Sequence, residues 1–414
     1  MRVLMSHPTG NSNVRAVIAA LNSAGMLREF NTTLAINPGA KWLKFIPESL
    51  SMQLLRRTFP LGPSMLRSSP GLEMVRLISP AIGFKRLIKE ENSWASIDSV
   101  YKNLDRSVAR RLNDLVKTHA VNAVYGYEDG ALNTFRRAKE LGLKCIYDLP
   151  IAYWETSRRL LQEEALRLPF WAKTLGGGIH DSVEKLERKT EELKLADVVI
   201  GPGDFVLDSI PDWAKNKHLI MTPYGSPLFT HAPDQGVPKR QSKLRILFVG
   251  SMSQRKGLAD LFRAVKLVNS RNLELVVMGS LMAPLKFYKD ELPNFEYLPN
   301  RSHNKVLELM RSCDVLCLPS IVEGRALVMQ EAMSQGLPII ITENTGGSDL
   351  IVPGRTGFLV PIRSPEAIAE KLSWLLENQK SIADMGHHAF LHAKRYTWEA
   401  YGQNIVSAFS KITA

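Results

Sequence analysis

Short apolar runs alternate with amphipathic stretches along almost the whole chain. The runs are rich in β-branched residues, as in parallel strands that are buried on both faces. The stretches between them repeat apolar positions at the spacing of a helix. The predicted strands cover residues 2–6, 33–36, 123–127, 145–149 and 198–201 in the first half, and residues 244–249, 273–278, 315–318, 338–341 and 357–360 in the second. Two such series predict two doubly wound α/β domains, each built on one parallel sheet.

A segment rich in proline, glycine and charge separates the two series. Residues 225–242 have the composition of a surface linker. We therefore predict an N-terminal domain over residues 1–235 and a C-terminal domain over residues 243–396. Thr397 is a predicted N-cap, because its side chain can accept a hydrogen bond from the first turn of the helix that follows.

The composition is that of a folded protein without a membrane span. Of the 414 residues, 45% are hydrophobic and 23% are charged, which excludes a disordered chain and a coiled coil. No stretch approaches the roughly 20 apolar residues that cross a bilayer, and the first residues turn polar too soon for a signal peptide. Cys145, Cys313 and Cys317 are too few and too odd in number for a disulfide framework. We therefore expect a reducing, cytoplasmic location.

The net charge of +12 is concentrated near the N-terminus. Residues 1–89 hold 12 lysines and arginines but only three acidic residues. This excess points to an anionic partner, which is a membrane surface, a nucleic acid or an acidic substrate. Within it, residues 41–89 interleave cations with Trp42, Phe45 and Phe59 over a longer connection than α/β units usually have. This pattern favours contact with an anionic membrane surface; the alternative is a basic covering loop whose aromatic residues are core.

The loop after residues 244–249 carries a first set of candidate chemistry. Ligands of open parallel sheets bind beyond the carboxyl ends of the strands. The strand runs into Gly250 and Ser251, where backbone can approach a ligand closely, and Arg255 and Lys256 follow just before a predicted helix near Gly257. Two cations at a helix N-terminus suit a diphosphate; the alternative is a solvated pair on a surface loop.

The loop after residues 315–318 carries two glutamates. Glu323 lies in the loop, and Glu331 lies eight residues later on the helix that the loop opens. The helix N-terminus can hold phosphate or sugar oxygens, and a carboxylate on its first turns can accept two hydrogen bonds from a ribose diol. The spacing alone is common on ordinary helices. We predict no metal site, because Cys313 and Cys317 have no nearby histidine pair and are interpreted as core residues.

Together these motifs resemble the retaining GT-B glycosyltransferases with an E-x7-E motif, the group 1 or glycogen-synthase-like family. The likeness spans residues 245–399 with order and spacing kept. It rests on Gly250 followed by Arg255-Lys256-Gly257, Pro319-Ser320 before Glu323-Gly324, Glu331-Ala332-Met333, Gly336-Leu337-Pro338, Gly346-Gly347, and Pro353-Gly354 before Thr356-Gly357-Phe358-Leu359-Val360. The resemblance implies an α/β GT-B fold, in which two doubly wound Rossmann-like domains face each other across a cleft. It also implies that a C-terminal helix, here residues 397–414, returns to complete the N-terminal domain.

The resemblance implies roles on the donor side of the cleft. Arg255 and Lys256 would bind the diphosphate of a nucleotide sugar and stabilise the departing nucleotide diphosphate. Glu323 would face the donor sugar as the third catalytic residue, and Glu331 would hold the ribose hydroxyls. The further donor-binding positions are Gly250, Ser251, Leu298 near the base, Gly324, Arg325, Ala326 and Leu327.

Two positions depart from the family pattern. The family commonly reads E-G-F-G where this chain reads Glu323-Gly324-Arg325-Ala326. A long cation replaces the aromatic residue, and an alanine replaces a more permissive glycine. These two changes would alter the sugar pocket or the conformation of the loop. Alternatively, Arg325 would meet an acidic donor sugar or an anionic acceptor.

The resemblance implies that the N-terminal domain binds the acceptor. The loop after the first strand would line this site through Gly10, Asn11 and Asn13, with His7 either a cleft residue or only the end of the strand. Glu128 and Asp148 follow two later strands, so we expect both carboxylates to project toward the cleft.

These inferences predict a metal-independent, retaining glycosyltransferase that needs no cofactor, since the nucleotide sugar is a substrate. The expected donor is a UDP-sugar first and GDP-mannose second. The expected acceptor is a hydroxyl of a glycan or a lipid-linked acceptor, in cell-surface polysaccharide or glycolipid synthesis. We expect peripheral contact with the cytosolic face of an anionic membrane through residues 41–89, and no nucleic acid partner. The alternatives are a catalytically silent GT-B partner subunit, a nucleotide-sugar epimerase or phosphorylase on the same fold, and a nucleic-acid-binding protein.

Overall fold

Two parallel sheets form the framework of the molecule. The computed structural model describes residues 1–46, 51, 54–80, 82–226 and 243–413. The N-terminal sheet consists of β1 (Val3–Ser6), β2 (Leu27–Thr32), β3 (Leu66–Ser68), β4 (Ala123–Tyr127), β5 (Lys144–Asp148), β6 (Val198–Gly201) and β7 (His218–Met221). The C-terminal sheet consists of β8 (Leu244–Val249), β9 (Leu273–Met278), β10 (Glu296–Leu298), β11 (Val315–Leu318), β12 (Ile339–Ile341) and β13 (Gly357–Leu359).

Helices cover both faces of each sheet. Those of the N-terminal half are α1 (Ser12–Ser23), α2 (Gly71–Ile78), α3 (Ile97–His119), α4 (Leu132–Glu140), α5 (Trp154–Arg167), α6 (Val183–Leu195) and α7 (Asp204–Asp208). Those of the C-terminal half are α8 (Leu258–Val268), α9 (Leu285–Glu291), α10 (His303–Arg311), α11 (Leu327–Ser334), α12 (Pro365–Glu377), α13 (Gln379–Ala393) and α14 (Trp398–Thr413). None of the helices that the structure describes combines the length and hydrophobicity of a membrane span.

In both sheets the strand order reverses beside the first strand. The N-terminal order is β3-β2-β1-β4-β5-β6-β7, and the C-terminal order is β10-β9-β8-β11-β12-β13. All strand pairs are parallel. The loops that leave β1 and β4 therefore diverge, as do those that leave β8 and β11, and each pair opens a crevice at the carboxyl edge of its sheet.

The end of the chain packs on the N-terminal domain. Helix α14 lies against α1, and Tyr401, Ile405 and Phe409 are buried in the core that also contains β1. The predicted cap of this helix is confirmed, since Thr397 Oγ1 accepts a hydrogen bond from Ala400 N at 3.0 Å. The last helix thus ties the C-terminal end of the chain back to the first sheet.

One stretch of the N-terminal half packs instead on the C-terminal domain. The 3₁₀ helix Pro169–Thr174, directly after α5, carries Trp171. Its ring lies edge-on to Phe262, Phe287 and Tyr288, with centroids 4.9 to 5.9 Å apart. Helix α5 belongs to the first domain, and the 3₁₀ helix that follows it packs in the core of the second domain. This stretch therefore provides a connection between the two domains in addition to the linker.

The predicted strands of the second half are confirmed to within one residue, but the predicted strand over residues 33–36 is wrong. The chain forms β2 at Leu27–Thr32 instead. Glu29 is buried in this strand because Arg111 Nη2 binds its carboxylate at 2.9 Å, an ion pair that apolar patterning does not reveal. The edge strands β3, β7 and β10 were not predicted, since they are short and partly exposed.

The basic segment is only partly a surface. Contrary to expectation, Phe59 packs inside the N-terminal core, 4.9 Å from the Phe30 ring and 5.3 Å from the Arg15 guanidinium. Phe45 is 88% exposed. Residues 47–50, 52, 53 and 81, the side chains of Trp42 and Lys44, and most of the predicted linker, residues 227–242, lie outside the described residues.

Candidate active site

The loop after β8 is held against the end of β11. It contains the 3₁₀ helix Gln254–Lys256 and ends at Gly257, which adopts φ +74°. A Cβ on Gly257 would lie 1.9 Å from the carbonyl oxygen of Pro319, so only glycine allows this approach. Gly250 lies beneath the aliphatic part of Lys256, where a Cβ would meet Lys256 Cδ at 3.3 Å. The two loops therefore form one rigid edge.

This edge brings the two predicted cations and the first glutamate together. Lys256 Nζ and Arg255 Nη1 both donate to Glu323 Oε2, the arginine at 3.4 Å. Burial alone raises the pKa of Glu323, but Lys256 and Arg255 outweigh burial and hold the pKa below its usual value. The glutamate is therefore an anion between two cations, so this edge carries a net positive charge.

Gln254 fixes the cation loop to the N-terminal half. Its side-chain amide donates to Glu164 Oε1 at 2.7 Å and to Asp260 Oδ2 at 2.9 Å, and its backbone N donates to Thr174 Oγ1 at 3.0 Å. Arg363 binds the other oxygen of Glu164 at 2.8 Å. Gln254 lies directly before the motif cations, yet the sequence analysis missed it because its partners are far away along the chain.

The glycine after Glu323 provides a second contact between the domains. A Cβ on Gly324 would lie 1.8 Å from the carbonyl oxygen of Pro150, at the end of the N-terminal β5 loop. Gly346 packs on the other side, where a Cβ would lie 1.7 Å from Gly324 O. The loop that carries Glu323 is thus clamped between the two domains.

Arg325 points away from an arriving ligand. Its buried guanidinium binds both carboxylate oxygens of Asp349, at 2.7 and 3.0 Å, and donates to Gln330 Oε1 at 3.0 Å. Tyr396 covers it, with its ring centroid 5.1 Å from the guanidinium carbon. The expectation that this side chain meets an acidic sugar or an anionic acceptor is therefore wrong, because the cation is used inside the fold.

The other predicted donor residues lie on β10 and at or in α11. Glu331, on α11, has its carboxylate 3.7 Å from His303 Nδ1. Burial raises the pKa of Glu331, and this effect outweighs that of His303, which lowers the pKa. Leu298 ends β10, and its carbonyl accepts from Gly279 N at 3.0 Å. Ala326 is buried as the N-cap of α11, and Leu327 packs toward the N-terminal core. The donor roles of these residues remain predictions.

A cavity of about 470 Å³ lies between the two domains beside this edge. Its C-terminal wall includes Ser251, Arg255 and Glu323. Its N-terminal wall includes Glu128, Trp154, Ser157, Gly176–Gly178, Asp181 and Lys189. The structure thus places two predicted donor-side residues, Arg255 and Glu323, across the cavity from a predicted acceptor-side residue, Glu128.

The predicted acceptor residues separate into two groups. Glu128 lines the cavity; burial raises its pKa to about 7, and Lys189 opposes the shift. Asp148 does not line it, because its carboxylate is buried and accepts from Tyr125 Oη at 2.9 Å. The expected projection of Asp148 into the cleft is therefore wrong. Burial also raises the pKa of Asp148 to about 7, although the hydrogen bond from Tyr125 lowers the pKa.

The loop after β1 is organised by His7. His7 Nδ1 accepts from Thr9 N at 3.0 Å and from Gly10 N at 2.8 Å, and burial lowers the pKa of the ring to about 3. Asn11 is the N-cap of α1, and Asn13 is buried in its first turn. Gly10, Asn11 and Asn13 do not line the cavity described above, so their acceptor role remains a prediction.

The described residues hold no group of three or more histidine, cysteine, aspartate or glutamate side chains arranged to bind a metal ion. Cys313 and Cys317 are buried, as predicted for core residues, and Cys145 is buried as well.

Comparison with known proteins agrees with this geometry. The family model of the glycosyl transferases group 1 matches residues 233–392. A D-inositol 3-phosphate glycosyltransferase of Corynebacterium glutamicum is 28% identical over 182 residues, which cover 41% of this chain and 44% of the relative. The alignments span about half the length of the first curated relatives.

Solved structures share the whole fold at low sequence identity. The sucrose-phosphate synthase of Thermosynechococcus elongatus superimposes with a TM-score of 0.66 at 14% identity, covering 100% of this chain and 99% of that one. HepE of Anabaena, in a structure with UDP-glucose, gives a TM-score of 0.60 at 14% identity over 99% of this chain and 100% of the other. The C-terminal domain of this chain thus matches the family model of the group 1 glycosyl transferases, and the chain has the two-domain GT-B fold.

Proposed function

We propose that this protein transfers a sugar from a nucleotide diphosphate sugar to a hydroxyl acceptor. The observation that carries the proposal is the joint contact of Arg255 and Lys256 with Glu323 at the edge of the interdomain cavity. Two cations that share one carboxylate retain a net positive charge for a diphosphate. The family of the C-terminal domain supports the same activity.

Arg255 and Lys256 stabilise the leaving group in this mechanism. As the bond between the sugar C1 and the diphosphate oxygen breaks, negative charge grows on the nucleotide diphosphate. Cations that are fixed before the reaction lower the energy of that charge without reorganising, a contribution of several kcal/mol. Glu323 faces the sugar, and Glu331 accepts hydrogen bonds from the ribose hydroxyls.

The acceptor hydroxyl attacks C1 from the face that the diphosphate leaves, so that the configuration is retained. Its proton passes to an oxygen of the departing phosphate, and no protein base or metal ion takes part. Proton NMR of the first product formed gives the anomeric configuration directly. A product of inverted configuration contradicts this mechanism.

A UDP-sugar is the first-choice donor, and GDP-mannose is the second. The structural neighbour with UDP-glucose supports this order. A thermal-shift screen of UDP, GDP, ADP and dTDP, followed by assays with the corresponding sugars, tests it, because a ligand that binds the folded state raises the melting temperature. We expect the largest shift with UDP and release of UDP from a UDP-sugar. No shift and no release with any of them would refute the proposal.

A surface at the end of the predicted basic segment, residues 41–89, and just after it provides the proposed contact with a membrane. We define the 78–97 surface by its exposed apolar side chains and the cations between them. The apolar members are Ile78, Ile82, Phe84, Trp94 and Ile97, and the exposed cations are Lys85, Arg86 and Lys89. Aromatic and basic side chains together bind the interface of an anionic bilayer. We propose that this surface holds the protein near a lipid-linked or cell-surface glycan acceptor.

Vesicle flotation tests this contact. The wild type should float with vesicles of phosphatidylglycerol and phosphatidylcholine but not with phosphatidylcholine alone. The double variant Phe84→Ala, Trp94→Ala should lose most of this binding. The matched control Leu166→Ala, Leu267→Ala removes two exposed apolar side chains elsewhere and should leave it unchanged. Equal binding by both double variants and the wild type contradicts the assignment.

A further inference from the structure

The charged groups on the N-terminal wall of the interdomain cavity are paired with one another. Among the described residues that line it, this wall holds two carboxylates and one cation, Glu128, Asp181 and Lys189. The opposite wall carries Arg255 and Glu323, which the proposed function assigns to the donor. The N-terminal wall is therefore the part of the cavity that remains for the acceptor.

The cations near this wall are already balanced by carboxylates. Lys189 Nζ lies 3.5 Å from Glu128, 3.4 Å from Asp129 and 3.6 Å from Asp181. Lys185 Nζ lies 2.8 Å from Asp181 and 3.9 Å from Asp129. A phosphate placed here would meet carboxylates next to every one of these ammonium groups, and such like-charge contacts oppose binding.

Glu128 offers an acceptor atom for a hydroxyl. Its buried Oε1 accepts no hydrogen bond from the residues that the structure describes, and the 3.5 Å contact with Lys189 is an ion pair at the limit of hydrogen-bond distance. A buried oxygen without a hydrogen bond is costly. A hydroxyl in the cavity can donate to the carboxyl group of Glu128, whereas an ionised phosphate oxygen does not donate.

Part of the wall is an apolar and aromatic surface. The Trp154 indole is fixed because Nε1 donates to Thr190 Oγ1 at 3.1 Å. Leu161 and Leu175 line the cavity beside it. An apolar and aromatic surface next to carboxylate oxygens matches a sugar ring, which presents C–H groups on its faces and hydroxyls around its rim.

We propose that this wall, defined by Glu128, Trp154, Asp181 and Lys189, binds an uncharged sugar or glycan end as acceptor and discriminates against a phosphorylated one. The proposal rests on the proposed function, because it takes the cavity as the site of glycosyl transfer.

Matched acceptor pairs test this proposal on the wild type. The purified protein is given the nucleotide sugar that it turns over. It is then offered glucose or glucose 6-phosphate, myo-inositol or D-inositol 3-phosphate, and an array of neutral and phosphorylated glycans. We expect transfer to neutral members, with kcat/KM for their phosphorylated partners at least about tenfold lower. Preference for phosphorylated members, or no transfer to any neutral glycan, overturns the proposal. No turnover of any donor refutes the proposed function and this proposal with it.

Two variants separate acceptor binding from folding and from donor binding. Glu128→Gln keeps the size of the side chain but removes its charge, and should raise the acceptor KM roughly tenfold. Asp181→Asn should reduce the discrimination against the phosphorylated partner. Asp212→Asn, at an aspartate that is 94% exposed, is the control and should change neither quantity. Nucleotide affinity, measured by calorimetry, reports whether the donor site is intact. An acceptor KM unchanged by Glu128→Gln, or a discrimination unchanged by Asp181→Asn, contradicts the assignment.

Discussion

The two walls of the interdomain cavity differ in how the cations beside them are paired. Beside the C-terminal wall, Arg255 and Lys256 share one carboxylate, that of Glu323. Beside the N-terminal wall, Lys185 and Lys189 contact three carboxylates. Among the described residues, positive charge is therefore left over at the first wall, whereas both ammonium groups at the second are paired. Under the proposed function, this difference would favour a diphosphate at the first wall and an uncharged acceptor at the second.

The two walls also differ in how they are positioned. The N-terminal wall is held by ion pairs within its own domain, whereas the cation loop depends on a residue of the other half of the chain. Glu164, on α5, binds Gln254 in the loop. Correct placement of the cationic wall therefore requires contact between the domains.

Removal of one cation from the C-terminal wall should have the largest effect. Lys256→Ala leaves Arg255 alone against the leaving diphosphate, and the loss of one such preorganised group typically lowers the rate about 10²–10³-fold. We expect kcat/KM for transfer to fall at least tenfold with an unchanged melting temperature. Lys286→Ala, at an exposed lysine of the same domain, is the control. Equal turnover by the two variants would remove Lys256 from the mechanism.

Disruption of the contact between the halves should have the next largest effect. Gln254→Ala breaks buried hydrogen bonds to Glu164 and Asp260, and should lower the free energy of unfolding by about 1–3 kcal/mol. It should also lower kcat, because the adjacent cations lose their support. Gln335→Ala removes another buried glutamine of the C-terminal domain that binds Arg311 instead. This control should lose stability in urea unfolding but keep its kcat. A kcat that is unchanged in Gln254→Ala contradicts the positioning role.

Removal of the carboxylate that is assigned to the ribose of the donor should have a smaller effect. Glu331→Ala removes a carboxylate that we assign to the ribose, and charged hydrogen bonds of this kind contribute about 1.5–3 kcal/mol. Calorimetry should show UDP affinity lowered about tenfold or more. Glu308→Ala, at a half-exposed glutamate on α10, should bind UDP like the wild type. Unaltered affinity in Glu331→Ala would count against the ribose assignment.

The prediction with the least bearing on transfer concerns pH and the N-terminal core. Burial raises the pKa of Asp148 from 3.8 to about 7, so the folded protein holds a proton that the unfolded chain releases. The stability gained from this proton is fully present below about pH 4 and is lost as the pH rises through 7. Asp148→Asn keeps the acceptor for Tyr125 and removes the titration. Relative to the wild type, it should become progressively more stable between pH 4 and pH 8 in urea unfolding. A stability difference that is constant over this range would contradict the burial argument.

The sequence could predict the C-terminal domain in detail because its signals are local. The strands at 244–249, 273–278 and 315–318 are continuous buried apolar runs and begin and end where predicted. The cations and glutamates follow them within a few residues, at positions where parallel strands must end together. The contact of Arg255 and Lys256 with Glu323 follows from that topology.

The remaining features depend on contacts between distant parts of the chain. The position of β2 could not be predicted, because Glu29 appears polar until Arg111 is placed beside it. The inward turn of Arg325 depends on Asp349, and the placement of Lys189 opposite the donor loop depends on how the domains meet. Sequence patterns locate the chemical groups, but only the folded arrangement shows which of them remain available to a ligand.

The most direct test of the cationic wall compares a nucleoside diphosphate with its nucleoside. Calorimetric titration of UDP and uridine, and of GDP and guanosine, isolates the contribution of the diphosphate from that of the base and ribose. For the cognate pair we predict much tighter binding of the diphosphate by the wild type, and near-equal affinities in Arg255→Ala, Lys256→Ala. A double variant that keeps the full preference for the diphosphate would contradict the account.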